Sequence, residues 1–476
     1  MHSTTKRPHD KSQASPKRQR SAPKLQRTTF RTSRTMDFFS EKELTTQTGH
    51  GIEDWPLVLV KELVDNSLDA CEEADIPPEI SIKADAAGIT VKDNGPGLPE
   101  ETLKSAMDFN VRASSREAYI APDRGAQGNA LMTLLTMPRV VDAKHGKFIV
   151  QAHGKRHSIT CRAEPISQRA VIHDDTSDQP TVGTEIRIQW SPRKDADDDV
   201  VWPFGDELFP LWDSAFADRF RSIAEGYSIF NPHAVITLDW FGEETTWAAT
   251  DTAWEKWKPN KPTSAHWYEP SHMERLVAAY ITHDLDVEAD RLVSEFIAEF
   301  DGLSGSQKRA KVLADADMKR ANLSEFVTGD RLDSKRIERL LVAMQTHTRP
   351  INPRRLGIIG EEHMRKRLLA MGVQPDSFRY AKKLSKDGVP WVLESAFGWL
   401  GDESDDYRKI FSGANWSSSI GNPFRHFGQT GEGLEAVLAD MKVGSHEPIV
   451  FCLHLADPRI EYTDRGKSAL VIRGAA

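Results

Sequence analysis

Residues 61–73 read KELVDNSLDACEE and hold the most informative pattern in this chain. Apolar residues around them recur at helical spacing from Pro56 to Glu72, which predicts one amphipathic helix. On such a helix Glu62 and Asn66 are four residues apart and share a face. A carboxylate there can orient a water for attack on a phosphate, and an amide oxygen suits Mg²⁺. Taken alone, the stretch is better explained as an ordinary acidic helix face, since such faces are common.

A second motif follows two short segments of alternating polarity. Glu79–Lys83 and Gly88–Lys92 are predicted as neighbouring strands, and Asp93-Asn94-Gly95-Pro96-Gly97-Leu98 comes directly after them. Glycines allow a tight turn and a close approach to a ligand, and an aspartate at a strand end can accept a hydrogen bond from an exocyclic amine. A simple β-turn is the alternative, because Asn-Gly and Pro-Gly are common turn formers.

A third motif is rich in glycine and precedes a helical run. Arg124-Gly125-Ala126-Gln127-Gly128-Asn129 leads into the apolar segment Ala130–Met137. Successive backbone N–H groups at a helix N-terminus can bind a di- or triphosphate. A flexible loop with a helix cap is the alternative interpretation.

Together and in this order, the three motifs resemble the Bergerat-type ATP-binding fold of gyrase B, Hsp90, histidine kinases and the MutL mismatch-repair proteins. Gly183-Thr184, at the start of a predicted strand, is similar to the last nucleotide motif of that family. The resemblance implies an α+β chain whose N-terminal domain is an α/β sandwich that binds ATP.

Within this family, the chain resembles the B subunit of the type IIB topoisomerases (topoisomerase VI). Leu292–Phe300, Gly305 and Lys308–Leu313 resemble its helix–two-turn–helix insert, and Leu356–Glu362 resembles the entry to its transducer domain. Ala414–Trp416 and Leu453–Lys467 resemble later transducer strands and the switch-lysine loop. The pattern itself predicts one amphipathic helix over Arg291–Phe300. The predicted division is a disordered basic arm (1–35), a Bergerat-fold ATP-binding domain (36–245), a mostly helical, helix–two-turn–helix-like insert (246–348) and a transducer-like α/β domain (349–476).

The resemblance also implies roles for single residues. Glu62 would be the catalytic general base, Asn66 the Mg²⁺ ligand and Asp93 the adenine acceptor, with Thr184 supporting Asp93. Lys467 would reach the γ-phosphate, where a cation stabilises the transferring phosphoryl group. The further residues expected to bind the nucleotide are Gly95, Gly97, Ser114, Ser115, Arg116, Gly125, Gln127, Gly128 and Asn129.

Three positions depart from the pattern of the topoisomerase VI family. Ala130 stands where the third lid glycine is expected, which predicts an altered lid, and Arg116 replaces the usual lysine. The sequence ends nine residues after Lys467, so the stalk helices that join the ATP-binding subunit to its DNA-cleaving partner are expected to be absent.

Charge is distributed unevenly along the chain. The net charge is −9, yet the first 34 residues contain ten Lys or Arg and one acid, Asp10. This arm lacks apolar periodicity and is predicted to be disordered. It fits an electrostatic tether for nucleic acid, a nuclear import signal built on Lys6-Arg7 and Lys17–Arg20, or a solubilising tail.

The expected function is an ATP-dependent clamp that hydrolyses ATP with Mg²⁺, forms a homodimer on ATP binding and closes on duplex DNA. A separate DNA-cleaving or DNA-acting subunit is the expected partner. The alternatives are a nucleotide-locked interaction module with slow or no hydrolysis and a MutL- or MORC-like DNA-maintenance or defence ATPase. A histidine kinase is disfavoured by Glu62, and intrinsic DNA cleavage is disfavoured because Asp284-Leu285-Asp286 is predicted as an acidic helix start.

Several classes of protein are excluded by composition. The sequence has no apolar run of membrane-spanning length and no secretory signal at its start. Cys71, Cys161 and Cys452 are far apart, which predicts neither a zinc site nor a disulfide framework. A cytoplasmic, nucleoid-associated protein is expected, or a nuclear one in a eukaryote.

Overall fold

The computed structural model of the chain describes residues 2, 38–109, 118–124, 130–164, 166–167, 169–194, 200–204, 214–258, 260–385, 388–401, 407–426, 432–463 and 469–471. Its helices are α1 (Glu41–Thr48), α2 (Trp55–Glu73), α3 (Glu100–Met107), α4 (Ala130–Val141), α5 (Ser214–Phe230), α6 (Pro270–Asp286), α7 (Val293–Ala298), α8 (Ser306–Asp315), α9 (Ser334–His347), α10 (Glu361–Ala370) and α11 (Leu434–Asp440). Its strands are β1 (Glu79–Asp85), β2 (Gly88–Lys92), β3 (Lys147–Ala152), β4 (Lys155–Glu164), β5 (Arg169–Asp178), β6 (Thr184–Gln189), β7 (Arg193–Lys194), β8 (Val200–Val201), β9 (Val235–Trp240), β10 (Glu243–Trp247), β11 (Val327–Thr328), β12 (Arg331–Leu332), β13 (Arg379–Ser385), β14 (Trp391–Trp399), β15 (Lys409–Ala414), β16 (Ser417–Ser418) and β17 (Ile449–Ala456).

An eight-stranded sheet forms the first layer, in the order β10-β9-β1-β2-β6-β3-β4-β5. Its neighbouring strands are antiparallel except β1 and β9, which run parallel with Glu79 opposite Val235. Buried residues alternate along β1, β6 and β9, so one sheet face carries most of the apolar side chains. Helices α2, α4 and α5 pack against these strands and form the second layer.

A second, five-stranded sheet has the order β13-β14-β17-β15-β16, with β15 and β17 parallel. Helix α10 packs against β13 and β14, and α6 to α9 pack mainly on one another. One continuous apolar core joins these helices to the second sheet, through residues such as Trp267, Phe296 and Val450. Helix α5 contacts β15 and β16, and this contact brings the second sheet against the layer formed by α2, α4 and α5.

The structure confirms the predicted α+β class and the elements around the first two motifs. The helix predicted over Pro56–Glu72 is α2, and the two predicted strands are β1 and β2. The boundaries of the four predicted segments stay predictions, and the basic arm lies outside the described residues.

One expectation in the middle of the chain is wrong, and a second helix is shorter than predicted. Asp284-Leu285-Asp286 ends helix α6 instead of starting a helix, and the Asp284 carboxylate is buried against the Arg291 guanidinium at 3.2 Å. The helix predicted over Arg291–Phe300 is present as the shorter α7. Leu292 before it forms a β-bridge with Asn322, and Phe300 after it forms one with Thr263. Among the described residues, no helix is long and apolar enough to cross a membrane.

Candidate functional site

Helix α2 carries Glu62 and Asn66, the candidate base and Mg²⁺ ligand of the first motif, on its more accessible side. Proline at the first turn suits a helix start, since its missing N–H would have no partner there. Most of the helix is buried, but Glu62 is half-buried and Asn66 is exposed. The buried apolar residues that fix the helix on the sheet are Leu57, Val60, Leu63, Val64 and Leu68. Glu62 and Asn66 therefore share a side of α2 that a ligand can reach.

The Asp93 carboxylate is held in a cradle of donors just beyond β2. Its Oδ1 accepts hydrogen bonds from the backbone N–H groups of Gly95 at 2.9 Å and Thr184 at 3.0 Å. Its Oδ2 accepts a hydrogen bond from the Ser67 hydroxyl of α2 at 3.0 Å. The second and fourth motifs thus meet, and the cradle joins them to the helix of the first.

Close packing around this carboxylate explains two of the glycines. A Cβ on Gly183 would lie 1.9 Å from the Asp93 carbonyl oxygen, and the backbone there has a φ of +73°. A Cβ on Gly95 would lie 3.0 Å from Asp93 Oδ1 and 3.2 Å from Cys71 Sγ. Only glycine fits at position 183 without displacing Asp93.

Burial raises the pKa of Asp93, and the hydrogen bonds from Thr184, Gly95 and Ser67 oppose this shift only in part. Each of the two oxygens already accepts from the protein, which fixes the plane of the carboxyl group. An acceptor held in this way can select a ligand that presents an N–H or amine group.

A second polar group, which we call the clasp, consists of Lys61, Asp65, Tyr227 and Ser417. The Lys61 ammonium donates to Asp65 Oδ2 and to Ser417 Oγ, both at 2.7 Å. The Ser417 hydroxyl donates to Asp65 Oδ2 at 2.8 Å, and the Tyr227 hydroxyl donates to Asp65 Oδ1 at 2.7 Å. Burial, reinforced by the Asp65 charge, raises the pKa of Tyr227, so the phenol keeps the proton that it donates. The clasp joins α2 to α5 and to the second sheet.

Further along α2 lies a buried ion cluster of Asp69, Glu72, Arg124 and Lys256. The Arg124 guanidinium bonds both oxygens of Glu72, at 2.6 and 2.7 Å, and Asp69 Oδ1 at 2.5 Å. The Lys256 ammonium lies 2.8 Å from Glu72 Oε2. Burial alone would raise the pKa of Glu72, but the charges of Arg124 and Lys256 outweigh it and hold the pKa well below its usual range.

Eight of the predicted site residues lie outside the described part of the chain. They are Ser114, Ser115, Arg116, Gly125, Gln127, Gly128, Asn129 and Lys467. Described residues flank two of these segments: Arg124 before the glycine-rich motif, and Tyr462 and Leu470, which pair across the segment that contains Lys467. Burial raises the pKa of Tyr462 to about 12, with Asp65 and Glu62 adding to the shift and Lys61 opposing it. Tyr462 is therefore close to the charged residues in the middle of α2.

Sequence reasoning missed Ser67 and Ser417. Ser67 directly follows Asn66 in the first motif, and its helical position toward the sheet is a signal that could have identified it. Ser417 directly follows the Ala414–Trp416 motif. Its contact with α2 depends on how the second sheet packs against the helices, and local sequence pattern does not reveal that packing.

No group of three or more His, Cys, Asp or Glu side chains capable of holding a metal is found among the described residues. Mg²⁺ in nucleotide sites commonly takes one or two protein oxygens and completes its shell with phosphate oxygens and water. The accessible Asn66 amide on α2 fits such a sparse ligand set.

Comparisons with known proteins agree with this geometry. Residues 51–194 match the family described as "Histidine kinase-, DNA gyrase B-, and HSP90-like ATPase". The chain is similar to the B subunit of type 2 DNA topoisomerase 6 from Methanosarcina mazei, with 27% identity over 191 residues, and to the same protein from Archaeoglobus fulgidus, with 28% identity over 191 residues. Each alignment covers 38% of this chain and 28% of the relative. The chain thus spans well under half the length of these relatives.

Among solved structures, the ATPase region of Saccharomyces cerevisiae topoisomerase II matches with a TM-score of 0.36 and 12% identity, over 87% of this chain and 76% of that one. A superposition this loose carries no conclusion about function. The family match over residues 51–194 coincides with α2, the Asp93 cradle and β6. Residues 51–194 are therefore similar in sequence to the histidine kinase-, DNA gyrase B- and HSP90-like ATPase family.

Proposed function

We propose that this chain binds ATP between α2 and the Asp93 cradle, hydrolyses it with Mg²⁺, and uses the cycle to close and reopen a dimeric clamp on duplex DNA. The observation that carries the proposal is that α2 bears the accessible Glu62–Asn66 pair and, through Ser67, also helps to orient Asp93. These two features suit the two ends of one ligand, an anionic end and an end that donates hydrogen bonds.

The chemistry follows from the groups present. The Asp93 carboxylate accepts from the exocyclic amine of adenine, and its three protein donors hold it in place for that bond. The Glu62 carboxylate, as general base, orients a water toward the γ-phosphate and takes its proton. The Asn66 side-chain oxygen would hold Mg²⁺, and the bound ion would neutralise charge on the phosphate oxygens.

Lys467 is proposed to reach the γ-phosphate from the second sheet. Its own placement is outside the described residues, but Tyr462 and Leu470 on either side of it form a β-bridge. The effect of the Glu62 and Asp65 charges on Tyr462 supports a position of Tyr462 close to α2.

We base the proposed homodimeric clamp and its binding of DNA on the relatives' name, which describes a subunit of a DNA topoisomerase. A cleft of about 550 Å³ lies where the predicted insert meets the start of the transducer-like domain. Lys308, Arg349 and Arg355 line it together with Asp301, and its excess of positive charge supports contact with DNA. The division into an arm (1–35), an ATP domain (36–245), an insert (246–348) and a transducer-like domain (349–476) is part of this proposal. A separate DNA-acting subunit is the proposed partner.

Steady-state ATP hydrolysis, with and without duplex DNA, tests the proposal. Glu62→Gln removes the base and should lower turnover by at least about 100-fold while ATP binding survives. Glu53→Gln, a matched change at an exposed position before α2, should leave turnover unchanged. If the native chain binds ATP without turnover, the proposed hydrolysis is refuted, and the nucleotide-locked interaction module remains as the alternative.

A further inference from the structure

The second sheet contacts the nucleotide helix through one tight hairpin. Strands β15 and β16 pair Ala414 with Ser417, and Asn415 and Trp416 form the turn. Both turn residues have positive φ, 47° and 63°, a backbone region that non-glycine residues occupy only when their surroundings enforce it. The hairpin tip is therefore held in one defined shape.

That shape is fixed by contacts on both sides. The Asn415 side-chain amide donates to the carbonyls of Asp123 at 3.1 Å and Asp457 at 3.0 Å. The Asn231 side chain at the end of α5 donates to the Trp416 carbonyl at 2.9 Å. The tip is thus hydrogen-bonded to Asp457, just after β17 of the second sheet, and to Asp123 and Asn231 of the proposed ATP-binding domain.

Ser417, the next residue, lies in the clasp with α2. The side chains of Lys61 and Asp65 are 10% and 4% exposed, so water does not loosen their bonds. Asp65 accepts from Lys61, Ser417 and Tyr227, and the Lys61 carbonyl accepts from Tyr227 at 2.9 Å. Charges buried to this degree hold their geometry, because separating them leaves an uncompensated charge.

The clasp residues on α2 directly precede the candidate catalytic residues. Lys61 is followed by Glu62, and Asp65 is followed by Asn66, so both pairs have the same four-residue spacing. Consecutive residues on a helix point about 100° apart, which puts the pairs on neighbouring strips of one helix. A rotation or shift of α2 at the clasp moves Glu62 and Asn66 by the same rotation or shift.

We propose that Ser417 and Tyr227 act as positioning residues, which set the orientation of α2 through Lys61 and Asp65 and so place Glu62 for attack on the γ-phosphate. The second sheet thereby controls turnover without contacting the nucleotide at this point. The inference rests on the proposed ATPase function and adds two residues to it.

Two mild substitutions from different elements test the clasp. Ser417→Ala and Tyr227→Phe each remove one hydroxyl and keep the packing of the side chain. Each should lower kcat roughly 10- to 100-fold, the scale of a misplaced catalytic group, while the Kd for ATP changes less than about twofold. Ser418→Ala is the matched control, since Ser418 is equally buried in the hairpin but has no hydrogen bond to α2 in the described structure.

A readout without nucleotide separates the two proposals. Amide hydrogen exchange over residues 55–73 should be faster in Ser417→Ala than in Ser418→Ala. Native kcat in both clasp variants, or exchange equal to that of the control, overturns the positioning role. A native chain that does not hydrolyse ATP instead overturns the proposed function, and the exchange comparison still decides the clasp.

Discussion

Arg124→Met is the sharpest test of how the layers are held together. The Arg124 side chain is fully buried, and it bonds Asp69, both oxygens of Glu72 and, at 2.5 Å, Asn231 Oδ1. Methionine keeps much of the volume but removes the charge. Glu72 and Asp69 both lose their bonds from the guanidinium, and Glu72 keeps its contact with Lys256.

Removing one member of a buried ion pair costs about 3–5 kcal/mol, because the remaining charge stays desolvated. With a urea dependence of about 2.5 kcal/mol per molar, the midpoint of unfolding should fall by roughly 1–2 M. Arg219→Met is the matched control: Arg219 pairs with Asp54 at 2.7 Å, but its side chain is 47% exposed. Exposed pairs contribute about 0–1 kcal/mol, so this midpoint should move little.

Urea titration of the native chain and both variants, followed by tryptophan fluorescence and by circular dichroism, measures the shifts. A fall for Arg124→Met no larger than that for Arg219→Met would refute the reasoning. It would mean that the carboxylates left behind by the change are not held in a desolvated state.

Two further predictions concern the cradle and the buried histidines. Gly183→Ala should weaken ATP binding, measured by calorimetry, at least tenfold, because the new Cβ would collide with the Asp93 carbonyl. Gly154→Ala is the control for backbone strain alone, since Gly154 has a φ of +77° and open space around it. This control variant should bind ATP normally. Burial lowers the pKa of His454 to about 3 and that of His363 to about 4, with Arg124 and Arg367, respectively, adding to the shift. Below about pH 6.5 the unfolded chain therefore binds protons that the folded chain does not, and the free energy of unfolding should fall by about 1.4 kcal/mol per pH unit for each histidine until its folded pKa is reached. A slope between pH 6 and 5 that is no shallower in His454→Asn than in the native chain would contradict this.

The elements that sequence could predict are those with a local signal. Helix α2 repeats its apolar residues at helical spacing over five turns, and β1 and β2 alternate cleanly. Asp93 could be picked out because glycines surround it within the same motif. These predictions needed only short stretches of chain, and the structure confirms the elements that they described.

What could not be predicted depends on distant partners. Strand β5 is an edge strand whose second half, His173–Asp178, is polar and exposed, so no apolar alternation marks it. The members of the ion cluster come from separate segments, and no spacing in the sequence relates Asp69 to Asn231, which binds Arg124, or to Lys256, which binds Glu72. Asp284 lies in the last turn of α6, where the Arg291 guanidinium neutralises its charge. The sequence pattern alone favoured a position at the start of a helix.

The parallel pairing of β1 with β9 has a consequence for synthesis on the ribosome. Strand β1 emerges early, but the neighbour that covers its free edge, Val235–Trp240, is made only after β2 to β6 and α5. Until then β1 presents unpaired backbone groups to any strand nearby, which is a route to aggregation. A fragment cut at residue 194 would keep that open edge permanently, whereas one that extends through Trp247 would carry both missing strands.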